Sequence, residues 1–223
     1  MTFKQADIMA KEKYNREAEL IKAFGLKRVV GEQTPEMQAW LAVEMPVFDV
    51  YEQALWETIC KSLQNQMAGW AAPDIKMKFI APLLRLAKMQ DTATVLTFFD
   101  RKMTGKVEGI RLNCPTDFMV ATGILNLVKK PFFHYQQYKP LLKPYRDPMA
   151  QLLTAMLITQ ATTATAKPIY GCEIVDKEWN FVVLSGKTYC ISKGYYCLKK
   201  EDLLQIIAIL RKFRHILETE LLD

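Results

Sequence analysis

The spacing of apolar residues changes from helical to strand-like and back along this chain, and those changes divide it into elements. Residues 4–24 alternate charges on strong helix formers and stop at Gly25, which predicts a helical arm. Residues 26–34 read as a loop. Pro35 opens a short helix around Met37–Leu41, and a longer one is expected from about Phe48 to Met67. Its apolar side would be formed by Val50, Tyr51, Ala54, Leu55, Ile59 and Leu63. Pro73-Asp74 starts another helix, with Ile75, Phe79, Ile80, Leu83, Leu84 and Leu86 on a broad apolar face. The period then shortens. Thr94–Phe99, Val107–Leu112 and Asp117–Ala121 are strand candidates, with a turn expected at Lys102–Lys106.

Pro131–Tyr138 is a further strand. Asp147 is a good N-cap, with Pro148 at the first helical position, for a helix apolar nearly all round and so expected to be buried. Ile169–Val175, Trp179–Leu184 and Thr188–Ser192 predict a three-strand meander. A last amphipathic helix carries Leu203, Ile206, Ile207, Leu210, Phe213 and Leu217. This order implies an α/β fold with a mixed sheet. An N-terminal helical extension over 1–70 would precede a core over 71–223.

At 223 residues and 50% hydrophobic, the chain can bury a full core. No apolar run approaches the ~20 residues of a membrane span, and the N-terminus has no signal-peptide core, so a cytoplasmic setting is expected. Five scattered cysteines without a Cys-x-x-Cys pair argue against zinc. The net charge of +6 suits a polyanionic partner. Its excess lies in the C-terminal half, where Lys129, Lys130, Lys139, Lys143 and Arg146 occur with no intervening acid among five aromatic residues. Such a run is either a solvated loop with aromatic anchors or a phosphate-contacting surface.

The candidate chemistry lies between Asp117 and Gln151. Phosphodiester hydrolysis needs a hard cation on carboxylate oxygens and a lysine to stabilise charge on the nucleophile or phosphate. Asp117 follows Pro115, the strand from Pro131 delivers Gln137-Tyr138-Lys139, and Gln151 stands one turn into the helix capped by Asp147. Residues two apart on a strand share a face, which would pair Gln137 with Lys139. Read singly, Asp117 could also cap a turn, Lys139 could be an exposed loop lysine, and Gln151 could satisfy backbone groups. No glycine-rich phosphate loop, Gly-x-Ser-x-Gly elbow or paired-histidine motif is present.

Over residues 73 to 217 this order resembles the PD-(D/E)XK, restriction-endonuclease-like superfamily. It is also similar to uncharacterised bacterial proteins and to N-terminal nuclease segments of type I restriction subunits, through Tyr138-Lys139-Pro140 and Asp147-Pro148-Met149-Ala150-Gln151-Leu152-Leu153. The resemblance implies a magnesium- or manganese-dependent DNA nuclease of restriction or mobile-element type, with or without a partner subunit. Asp117, Gln137, Lys139 and Gln151 would be catalytic. Asp117, Gln137 and Asp74 would hold the metal, with Glu57 as a second choice to Asp74. Lys129, Lys130, Lys143 and Arg146 would contact nucleic acid. Gln137 departs from the family pattern: an amide in place of a carboxylate removes one charge from the metal site. Two other readings stay open, a degenerate nuclease fold that binds nucleic acid or a protein without cutting, and an assembly role for the N-terminal helices.

Overall fold

The computed structural model describes residues 14–66, 69–125, 127–138 and 147–222. Among them run α1 (Glu17–Phe24), β1 (Lys27–Val30), α2 (Pro35–Leu41), α3 (Val50–Gln66), α4 (Ala72–Ile75), a π-helical turn (Lys76–Ile80) and α5 (Ala81–Leu86). The central strands β2 (Leu96–Val107), β3 (Ile110–Ile124) and β4 (Leu127–Tyr138) precede α6 (Pro148–Thr163). The chain continues through β5 (Ile169–Val175), β6 (Glu178–Ser185), β7 (Thr188–Ile191), β8 (Tyr195–Tyr196), α7 (Lys200–Ile216) and a second π-helical turn (Leu217–Leu221).

The sheet is mixed, in the order β1-β7-β6-β5-β4-β3-β2, with β8 paired to β6. β2, β3 and β4 are antiparallel neighbours, and α6 then carries the chain over to β5, which lies parallel to β4. One face of the sheet is covered by α6, whose Leu152, Leu153, Met156 and Ile158 are buried against Met103, Leu112, Met119 and Val182. The other carries α7, α2, α3 and the α4–α5 segment, around Trp40, Phe79, Phe133, Phe181 and Phe213. Both faces are therefore apolar, as a sheet sandwiched between helices requires.

The helices open where their capping chemistry lies. Asp147 accepts from the N–H groups of Met149 and Ala150 at 3.0 and 3.3 Å, Thr34 accepts from Met37, and Gly25 closes α1 at φ 63°. Between α4 and α5 the helix widens, with the Ala81 N–H bonded to the Lys76 carbonyl five residues back. Pro82 follows directly. It has no N–H for the ordinary i−4 bond and its ring crowds the preceding turn, and the wide turn relieves both.

Several expectations are corrected. Residues 27–30 form a strand rather than a loop, because parallel pairing with β7 (Lys27↔Thr188 to Val30↔Ile191) supplies an order that four residues lack alone. The three strand candidates between 94 and 121 are one long hairpin. Its turn is Glu108-Gly109, both at positive φ, a conformation that suits a two-residue connection, whereas Lys102–Lys106 lies within β2. Gly105 is a packing glycine: a Cβ there would stand 2.8 Å from Ile158 Cγ2 on α6. Pro115 sits within β3 at a step paired to β2 alone, where a missing N–H leaves no rung unmade on the other side. The N-terminal part of the α3 stripe is also corrected. Val50 and Tyr51 are 84% and 87% exposed, and the buried side of α3 is Trp56, Ile59 and Leu63.

The strand Pro131–Tyr138, the helix after Asp147 and the meander lie where the sequence places them. Residues 4–13 of the expected N-terminal helix lie outside the described residues. β1 belongs to the central sheet, and the Trp40 indole N–H donates to the Ile209 carbonyl on α7 at 2.9 Å. No helix among the described residues is long and apolar enough to cross a membrane.

Candidate active site

Asp117 lies in the middle of β3, and its surroundings follow from an irregularity in the hairpin. Leu112 and Cys114 face the α6 core, while Phe118 and Val120 face the opposite one, so β3 changes sides between residues 114 and 118. β2 changes at the same level, between Met103 and Phe99, and there Asp100 adopts φ 50°. The rungs on either side are Phe99↔Phe118 and Arg101↔Thr116, which brings Asp100 and Asp117 to the same step of adjacent strands. Two carboxylates at one step repel each other unless a cation joins them.

Lys76 supplies that cation from the widened helical turn. Its Nζ lies 2.6 Å from Asp100 Oδ1 and 3.2 Å from Asp117 Oδ1. The Asp117 side chain is 20% exposed, that of Lys76 23% and that of Asp100 68%, so the cluster lies at the sheet edge, half sheltered. Burial works to lower the Lys76 pKa. The hydrogen bond that Lys76 donates to Asp100 and the charge of Asp117 outweigh it and hold the ammonium above its ordinary value. Two carboxylate oxygens, the donor type that a hard cation prefers, thus converge on one positive centre.

β4 is the partner of β3 on the side away from β2. The strands pair at Phe118↔Tyr135, one residue from Asp117 and two from Gln137. Gln137 in turn stands in register with Ile174 of β5. Asp117 and the strand that carries Gln137 are therefore direct neighbours. Lys139, Lys143 and Arg146 lie outside the described residues. Gln151 sits half-buried in the first turns of α6, its N–H bonded to the Asp147 carbonyl.

Asp74 binds elsewhere than on Lys76: it pairs with Lys78 at 2.7 Å and accepts from the Ala71 N–H, and these bonds hold its carboxyl below the usual range. Glu57 is bonded to Gln53 on α3 and lines a cavity with Cys60 and Lys200. Lys130 pairs opposite Thr122 at the start of β4, far along the strand from Gln137, and lies over the Phe132 ring with its Nζ 3.5 Å from the Leu221 carbonyl; Lys129 is exposed beside it. His134 is fully buried and bonded to Thr159 at 2.7 Å, and burial pushes its pKa down to about 3, so it is a neutral core group. Among the described residues no group of three or more His, Cys, Asp or Glu side chains is arranged to hold a metal.

The sequence reading missed three polar residues. Lys76 and Asp100 are the first two. Glu173 is the third, at 8% exposure on β5, in register with Gln136. Burial drives its pKa up to about 7. The charges of Asp147 and Glu17 add to the rise, and Arg28 opposes it. The folded chain therefore holds this proton where the unfolded chain, with an ordinary value of 4.5, has released it. Stability from this group is intact below about pH 4.5 and falls as pH rises toward 7, by about 3 kcal/mol in full. Glu173→Gln should remove that slope. Melts of both proteins between pH 5 and 8 should diverge with rising pH, the wild type losing stability faster, and parallel curves would refute the assignment.

No family model and no curated protein matches this chain.

Proposed function

We propose that the protein is a restriction-endonuclease-like nuclease that cuts DNA phosphodiesters with magnesium or manganese at Asp117. The observation that carries this reading is the placement of Asp117 beside the strand of Gln137, within three antiparallel strands followed by a helix and a strand parallel to the third. This is the order of parts that the sequence resemblance implies. The carboxylates of Asp117 and Asp100 suit a hard cation, because Lys76 already bridges them, and the resemblance implies the Gln137 amide oxygen as a further donor. A bound divalent ion would polarise the scissile phosphate and acidify a water. Asp117 and Asp100 would hold the ion, Lys76 holds their carboxylates side by side, and Lys139 would stabilise negative charge on the attacked phosphate.

A second reading, a fold that binds nucleic acid or a protein without cutting it, is favoured by the same Lys76. Its ammonium sits between the two carboxylates, and Gln137 brings no charge to displace it. A cleavage panel separates the two. Supercoiled, linear and single-stranded DNA incubated with the protein should be cut in magnesium or manganese and not in EDTA, and Lys139→Ala should abolish the cutting. Undiminished cutting by that variant would remove Lys139 from the mechanism. Failure of the wild type to cut any form would leave the binding reading.

A further inference from the structure

The distal half of the β2–β3 hairpin has one face on α6, through Met103, Val107, Leu112 and Cys114. Strand alternation turns Lys102, Thr104, Lys106, Arg111, Asn113 and Pro115 the other way. All of these are exposed except Asn113, which is half-buried. This face carries three cations and no acid, and among the described residues Lys102, Lys106 and Arg111 form no ion pair. Lys106 and Arg111 are moreover direct cross-strand partners, a like-charge pairing that weakens a sheet. Folding gains nothing from this arrangement, and an anion laid across both side chains relieves it. The row also leads somewhere. Lys102 stands two residues from Asp100, and four residues of strand, roughly 13 Å, separate it from Lys106. The ribbon therefore runs from its tip to the carboxylates that Lys76 bridges.

We infer that this outer face of the hairpin is the nucleic-acid surface of the protein, with Lys102, Lys106 and Arg111 each meeting a backbone phosphate and leading the strand toward Asp117. The inference rests on the nuclease-fold reading for its destination, and on the charge pattern for its ligand. Spaced phosphates of a polyanion match spaced cations on a ribbon, and Thr104 and Asn113 between them offer hydrogen-bond donors to the same backbone.

The test is binding of a fluorescent duplex and a single-stranded oligonucleotide, followed by anisotropy in EDTA across a salt series, so that cleavage plays no part. The wild type should bind, and the Lys102→Glu/Lys106→Glu/Arg111→Glu variant should bind at least about tenfold more weakly, with a duplex salt slope reduced by roughly 3. Lys61→Glu, on the exposed side of α3, serves as the charge control and should match the wild type. Arg111→Glu alone guards against a misfolded triple variant. It turns the cross-strand pair into an opposite-charge one, so its Tm should equal or exceed that of the wild type while its binding falls. Unchanged binding by Arg111→Glu or the triple variant, an equal loss in Lys61→Glu, or no binding by the wild type would each overturn the inference. Cleavage with ribbon-independent binding would sink this inference alone, and ribbon-dependent binding without cleavage would sink only the nuclease reading.

Discussion

Trp40→Ala should destabilise the protein by about 4 kcal/mol, the range for emptying a buried aromatic site. The indole is fully buried and meets Tyr170 and Phe181 edge-on at centroid distances of 5.0 and 5.1 Å, with Phe213 at 6.2 Å. Its N–H also donates to the Ile209 carbonyl within α7, a buried hydrogen bond that the variant would lose. Trp40 belongs to a short helix preceding residue 71, whereas the groups it touches lie on β5, β6 and α7. Urea melts of the whole chain therefore measure how firmly the N-terminal segment is built into the sheet. A single transition shifted by several kcal/mol is expected, and a loss under about 1 kcal/mol would mean that α2 packs only loosely on the core.

The second large effect concerns Lys76. Lys76→Met keeps most of the length of the side chain and removes the charge that joins Asp100 to Asp117. In metal-free buffer the variant should melt below the wild type, because two carboxylates at one step of the sheet are left facing each other. Adding magnesium should then raise its Tm well beyond any rise in the wild type. A ligand at one hundred times its Kd stabilises by about 2.7 kcal/mol, and the wild-type ammonium competes for the same oxygens. Equal magnesium responses in the two proteins would show that Asp100 and Asp117 do not share a cation.

The elements legible in the sequence were those whose signals are local. Asp147-Pro148 before an apolar run, Gly25 after a charged helix, and the three short strand-prone runs separated by turn residues through Ile169–Ser192 each encode their structure within a few residues. β1 was not legible, since Lys-Arg-Val-Val becomes a strand only when β7 lies beside it. Gly105 misled because glycine marks turns more often than close helix–strand contacts, and the contact partner, Ile158, is 53 positions away. Val50 and Tyr51 fit the apolar spacing of α3, but the core covers that helix only from Trp56 onward.

The candidate site was legible in part for the same reason. Asp117 and Gln137 could be read from their order in the chain. Lys76 and Asp100 acquire meaning only through pairing and packing. Two signals pointed toward them: Pro82 inside a helical run forecasts a distorted turn just before it, and Asp100-Arg101 interrupts a β-prone segment where the hairpin changes face. Glu173 gave no signal, since a lone acid in Cys-Glu-Ile reads as a surface residue until the fold buries it within the charge of Asp147 and Glu17.

The most direct measurement is cleavage of DNA in manganese by the wild type and by Asp117→Ala, prepared in parallel and matched for Tm. The structure and the resemblance together predict cutting by the wild type, abolished by EDTA and lost in the variant by at least about a thousandfold, the scale on which removal of an essential charge-stabilising group acts. Cutting by Asp117→Ala at the wild-type rate would contradict the assignment of the site.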